Sequence, residues 1–160
     1  MAKLRFIEVP HPKKGNGIRY KDVLVKFVND MRTELHELDL RTWREYGHDV
    51  GELKAEHISC LSEIWGKSYH ATMLYVDDRP AAFAMTMHDG KYAAFWNFIV
   101  LPEFRKQGYG KALLTHVTER YRNRGCSELC LNVHGDNKVA LDMYRAAGFK
   151  PKSHVLSLHL

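Results

Sequence analysis

Residues 96–114 read WNFIVLPEFRKQGYGKALL, and the parsing of this stretch decides the fold. The apolar run 95–101 has the composition of a strand, and Pro102 ends it because proline brings no N–H to a ladder. A short polar segment, 103–107, leads to Gly108-Tyr109-Gly110. From there Gly110, Leu113, Leu114, Val117 and Tyr121 recur at helical spacing, which predicts a helix to about residue 123, closed by Gly125. A strand feeding a glycine turn and then a helix N-terminus is anion-binding architecture. The first helical N–H groups lack partners within the helix, and the dipole favours negative charge there. Glycines at 108 and 110 remove two Cβ atoms, which lets a phosphate approach the backbone. Arg105, Lys106 and Lys111 surround the same point with positive charge. The stretch reads as a diphosphate cradle.

Spacing narrows the kind of cradle. A P-loop needs Gly-Lys-Ser/Thr, but Ala112 follows Gly110-Lys111, and Arg105 stands where its first glycine belongs. A dinucleotide fingerprint needs a third glycine three residues on, where this chain has Leu113. Arg105-x-x-Gly108-x-Gly110, preceded by Val100-Leu101-Pro102-Glu103 and followed by the helix start KALL, instead resembles the acetyl-CoA-binding motif of the GNAT superfamily of N-acetyltransferases. A second segment is similar to that family's other motif: Asn137-Lys138-x-Ala140-x-x-x-Tyr144-x-x-x-Gly148-Phe149. Asn137, Ala140 or Leu141, and Tyr144 fall on one side of a helix.

The resemblance implies acetyl-CoA as co-substrate and no metal. It implies cofactor contacts from Ile99, Val100, Leu101, Arg105, Lys106, Gln107, Gly108, Tyr109, Gly110, Lys111, Asn137 and Tyr144. Backbone amides around residues 99–101 orient the pantetheine arm in this reading, and Asn137 makes a hydrogen bond to it. Asn137 is equally placed to serve as a helix N-cap. The resemblance also implies that Tyr144 lies near the thioester sulfur, as the catalytic acid that protonates the leaving thiolate.

Composition sets the bounds. At 160 residues the chain is read as a single domain, 1–160, large enough for a real core. No apolar run approaches the ~20 residues that span a bilayer, and MAKLRFIEVP is too short and charged for a signal peptide. Three cysteines, with Cys126 and Cys130 not forming a C-x-x-C pair, argue for reduced thiols and a cytoplasmic setting. Ten histidines show no H-x-x-x-H or H-E-x-x-H spacing, which argues against a metal site. A net charge of +5 suits a polyanionic cofactor and would also suit nucleic acid.

In chain order, 3–9 alternates as a first strand, and 10–17 is a basic, turn-rich connection. Residues 18–38 and 50–65 predict two helices, the second carrying His57 and ended by Gly66. Strands at 69–76, 80–87 and 91–101 follow, joined by hairpin turns at 77–79 and 88–90. After the motif helix come a strand at 128–133, a helix at 137–147 and a last strand within 149–160, most regular at 154–158. The order β-α-α-β-β-β-α-β-α-β predicts an α/β mixed sheet with helices on both faces, and it resembles the GNAT fold over nearly the whole chain. The family often adds a further strand. Without it the far edge is either shortened or completed by a second subunit in a homodimer.

Acetyl transfer needs a free amine, and an alkylamine is almost wholly protonated at neutral pH. Some relatives place a glutamate base on the fourth strand, where this chain has Ala94. Asn97 is the strongly polar side chain within that strand, and with Asp30 and Glu34 it is a candidate contact for the acceptor. Asp30, Glu34 and Glu37 form an acidic stripe that reads either as a solvated face or as a wall attracting a cationic amine. A base from His88, Glu34 or a relayed water, or an acceptor of low pKa, are the alternatives. The leading reading is direct transfer from acetyl-CoA to a primary amine in a ternary complex, since no cysteine or serine stands in a nucleophile arrangement. The other is an inactive acyl-CoA-sensing or nucleic-acid-binding domain, supported by Arg120, Arg122 and Arg124, a run that a helix C-terminus also explains. Neither involves a membrane.

Overall fold

The computed structural model describes residues 2–9, 69–133 and 135–153. Among the described residues five strands form one sheet in the order β1-β2-β3-β4-β5: β1 Leu4–Val9, β2 Tyr69–Val76, β3 Arg79–Asp89, β4 Tyr92–Val100 and β5 Glu128–Cys130. The first four are antiparallel, while β5 lies parallel to β4. A parallel neighbour requires a crossover, and helix α1, Tyr109–Asn123, is that connection. A 3₁₀ turn, Pro102–Phe104, precedes it, and α2, Lys138–Ala146, follows β5. The mixed sheet and the order of these elements agree with the sequence-based expectation. The helices expected at 18–38 and 50–65, with Asp30, Glu34, Glu37 and His57, lie outside the described residues, as does the strand at 154–158. Residues 149–153 carry no strand.

Local chemistry explains the hairpins. Asp77 and Asp78 both have left-handed backbone, φ 47° and 62°, between the paired Val76 and Arg79. Two positive φ values are what a two-residue turn needs to match strand twist, and aspartate tolerates them because its side chain bonds locally. Here those side chains hold β1: Asp77 Oδ1 accepts from the Lys3 N–H at 2.8 Å, and Asp78 Oδ1 from Arg5 at 2.9 Å. Gly90, φ 57°, turns the next hairpin. The first turn falls within a residue of its expected place, and the second, at 90–91, begins two residues later than expected because β3 runs on to Asp89.

The core sits on both sides of the sheet. Six successive residues of β3, Ala81 to Thr86, are buried although alternate side chains point to opposite faces. On one face α1 lays down Leu113, Leu114, Val117 and Tyr121, all buried. The Tyr121 and Thr86 hydroxyls meet at 2.5 Å and anchor the helix to β3. Near its C-terminus Arg120 pairs with Glu8 and bonds Thr72 at 3.3 Å, while His116 stacks on Phe6 at 4.1 Å. Arg120 is thus part of a clasp between β1, β2 and α1, so the three-arginine run is not a uniform solvent-facing stripe.

His70 adjoins this clasp, 3.5 Å from Arg124. Burial, then the Arg120 and Arg124 guanidinium groups and His88, hold its imidazole down to about 4, from an ordinary 6.5. Between those values the unfolded chain binds a proton there that the folded chain refuses, so acidification from pH 6.5 towards 4 destabilises the fold. Thermal unfolding midpoints should fall more steeply across that window in the wild-type protein than in His70→Gln. Parallel curves would remove His70 from the acid response.

One sequence-based boundary changes, and register explains it. The strand expected at 128–133 pairs only at 128–130, against Tyr92 to Ala94. Beyond that point β4 is bulged: Thr86 faces Phe95 and Met85 faces Asn97, leaving Trp96 as the extra residue. A bulge bends its strand and sharpens the local twist, which ends pairing on the far side. From Phe95 to Val100 no described strand pairs with β4 on the side that β5 has left.

Candidate active site

The end of β4 beyond β5, the start of α1 and one face of α2 meet at a single place. The 103–107 segment is not wholly polar as expected, since Phe104 is buried, with Arg79 over its ring at 5.0 Å and Tyr109 edge-on at 6.1 Å. That anchor fixes the backbone that follows. Arg105 donates its Nε–H to the Val100 carbonyl at 2.8 Å, tying the loop to the strand end, and Gln107 bonds the Glu103 carbonyl at 2.8 Å. Lys106 and Gly108 both have left-handed backbone, φ 56° and 85°. Left-handed Gly108 beside the right-handed first residue of the helix turns successive N–H groups to one side, making a concave nest for an anion.

The helix start is left open. Gly108 is the N-cap of α1 with no side-chain cap, and the first bond to its carbonyl comes from Ala112 at 3.0 Å. The amides of Tyr109, Gly110 and Lys111 therefore have no intrahelical acceptor. Lys106, Gln107 and Lys111 are exposed beside them.

The two glycines do different jobs. A Cβ at Gly108 would meet nothing within 4 Å, so its requirement is the left-handed turn. A Cβ at Gly110 would stand 3.2 Å from both Met143 Sδ and Val100 Cγ2 and 3.9 Å from Phe98. The missing side chain at 110 faces inward, where α1, α2 and β4 pack closely. Room for phosphate was the sequence-based reason for this glycine, and close packing replaces it.

The β4 amides also need reassigning. Leu101 donates its N–H to the Ala81 carbonyl at 2.9 Å. Alternation along an antiparallel ladder then turns Ile99 towards β3 as well, and Val100 and Phe98 towards the open side. Arg105 capping the Val100 carbonyl agrees with that orientation. Of residues 99–101, Val100 presents its amide outward, whereas Ile99 and Leu101 contribute buried side chains. Phe98, missed in the sequence reading, is the second outward amide. Counting back in twos from Pro102, which has no N–H to offer, finds it.

On α2, Asn137 acts as N-cap, its Oδ1 accepting from the Ala140 N–H at 3.2 Å. Tyr144 lies one helical face along, buried between Phe98 at 6.1 Å and Phe149 at 5.7 Å. Burial pushes its phenol up to about 12, and its hydroxyl has no hydrogen-bond partner among the described residues. It is a neutral donor at physiological pH. His88 and Asn97 each keep a buried polar atom, Nε2 and Oδ1, without a hydrogen-bond partner among the described residues. They point opposite ways. His88 shares the α1 face, its ring 5.7 Å from Tyr121, while the bulge at Trp96 puts Ala94 and Asn97 together on the other. His88 is therefore across the sheet from the position where a fourth-strand base would stand.

The family profile described as the acetyltransferase (GNAT) family matches residues 31–149. The chain belongs to the GNAT acetyltransferase family. An 84-residue stretch is 37% identical to the ribosomal protein bS18 alanine N-acetyltransferase of Salmonella typhimurium, covering 52% of this chain. It spans 57% of that relative's length. The crystal structure of the Escherichia coli ribosomal-protein-S18-alanine N-acetyltransferase superposes with a TM-score of 0.58 at 30% identity, over 60% of this chain and 62% of that one. PaiA N-acetyltransferase from Thermoplasma acidophilum, solved in complex with coenzyme A, shares the fold at 17% identity, with a TM-score of 0.68 over 96% and 93% of the two chains. Among the described residues no helix is long and apolar enough to cross a membrane.

Proposed function

We propose that this GNAT protein transfers the acetyl group of acetyl-CoA to a primary amine by direct attack in a ternary complex. The observation that carries the reading is the uncapped N-terminus of α1, with left-handed Lys106 and Gly108 before it, set against the β4 edge that β5 has left. The open amides 109–111 and the charges of Lys106 and Lys111 suit a diphosphate. The outward amides of Val100 and Phe98 suit the pantetheine arm and the thioester carbonyl.

In this mechanism the amine nitrogen attacks the thioester carbon, and the Phe98 N–H stabilises charge building on the carbonyl oxygen. The carbon–sulfur bond then breaks with its electron pair on sulfur. Tyr144 gives the sulfur its proton and recovers one from solvent, while the amine loses its surplus proton to water. The products are an N-acetyl amine and CoA thiol. The odd cysteine count fits action in a reducing, cytoplasmic setting.

The acceptor reading follows from what β4 lacks. Neither Ala94 nor Asn97 can take a proton from an ammonium group. At pH 7 an α-amine of pKa ~8 is about one-tenth free base, whereas a lysine-like amine is free in roughly one molecule per few thousand. An α-amine, such as a peptide N-terminus, is the acceptor this strand can serve unaided. The alanine N-acetyltransferase named above points the same way. The test is a CoA titration beside a mass-spectrometric screen of peptides and small amines with acetyl-CoA. Stabilisation by CoA but not by oligonucleotides is expected, and no transfer to any amine would leave a CoA-binding domain only. For a working α-amine, log kcat/KM should rise with unit slope and level off near pH 8, the acceptor's own pKa. A plateau reached by about pH 6.5 would reveal an enzymic base.

A further inference from the structure

Asn97 is a polar residue of β4 whose side-chain oxygen finds no partner among the described residues. Its Oδ1 is buried and accepts no hydrogen bond from the described residues, a condition that buried carbonyl oxygens rarely show and that calls for a reason. The residue stands in the 95–100 stretch, past the point where β5 departs. In a regular strand Ala94 and Asn97 would face opposite ways. The bulge at Trp96 absorbs one residue and returns both to the same face, opposite His88, Phe95 and Phe98. The smallest β-carbon side chain, alanine, thus sits beside an unused carbonyl oxygen. Immediately after Asn97 comes Phe98, whose amide faces the open edge and whose ring meets Tyr144.

We infer that the Asn97 carboxamide is the docking point of the acceptor amine. Oδ1 accepts one amine N–H, on the face it shares with the small side chain of Ala94. A carboxamide cannot remove a proton, so Asn97 turns the nitrogen lone pair towards the thioester carbon and does no more. A free amine with two N–H groups keeps one for this bond. This assignment rests on the acetyl-transfer reading and adds the group that recognises the acceptor.

The experiment uses alaninamide as probe, with CoA release from acetyl-CoA as readout and CoA affinity titrated separately. Asn97→Leu replaces the carboxamide by an apolar group of similar size, and Asn97→Asp keeps an acceptor oxygen in place. Removing an unpaired buried oxygen should hold or raise the thermal midpoint of Asn97→Leu. Its kcat/KM for alaninamide should fall at least about tenfold with unchanged CoA affinity, while Asn97→Asp at pH 8 should stay within about threefold of wild type. A folded Asn97→Leu protein that turns over as wild type does would overturn the inference alone, as would equal losses in both variants. A wild-type protein that binds CoA but acetylates no amine would overturn the acetyl-transfer reading, and the inference with it.

Discussion

Replacing Tyr144 by phenylalanine is expected to lower kcat by roughly 10²–10⁴ while leaving CoA affinity nearly unchanged. The ring that packs between Phe98 and Phe149 is retained, and the hydroxyl removed has no partner among the described residues. Stability should therefore hold or rise slightly, which separates a chemical defect from a folding one. The size of the effect depends on proton affinities. A phenol held at about 12 is a weak acid beside a thiol of ordinary pKa ~8.5, so full transfer to a solvated thiolate runs uphill. The burial that raises the phenol also raises a thiolate formed next to it, which narrows the gap. The balance places the expected loss towards the lower end of the range. Steady-state turnover, with chemistry shown to limit the rate, tests it against a CoA titration on both proteins. Equal turnover would return Tyr144 to packing alone.

The parts of this site that were legible in the sequence are those set by backbone chemistry. Pro102 cannot pair, Gly108 must turn left-handed, and Asn137 can cap a helix; each constraint acts on its own neighbours. What stayed hidden depends on partners distant in the chain. The period of two that reads FWNFIV as a strand carries no mark of the bulge at Trp96, because the bulge is set by register against Met85 and Thr86. That single extra residue decides which face Asn97 shares and where β5 ends. Gly110 misled for a related reason: the neighbours that need its hydrogen, Met143 and Val100, lie on two other elements. Leu101 turns its amide into the sheet and Phe98 turns its amide out because a ladder hydrogen bond to Ala81 sets the direction of each. The clasp joining Glu8 to Arg120, 112 residues apart, left no local trace at all.

Those distinctions choose the variant for the cradle. Gly108→Asp is expected to weaken CoA binding by at least about 100-fold, a loss of ~2.8 kcal/mol, while the protein stays folded. Glycine at 110 is the wrong place for this test. A carboxylate there would be driven between Met143, Val100 and Phe98, so lost binding would follow from lost packing. At 108 the new side chain meets open space. Its folding cost is the left-handed backbone, of order 1–2 kcal/mol for a residue with a Cβ. Part of that cost is offset, because a carboxylate at the N-terminus of α1 is favoured by the helix dipole. The same charge stands where the diphosphate must come. Two negative groups a few ångströms apart at a protein surface repel by several kcal/mol at an effective dielectric constant of ~20, more than the threshold just given. Gly108→Asn is the matched control, with similar shape and strain but no charge, and it should bind CoA far better than the aspartate variant. Calorimetric titration of CoA against both, with thermal midpoints for each, gives the answer. Equal affinity of Gly108→Asp and wild type would move the diphosphate away from α1 and dissolve the cradle assignment.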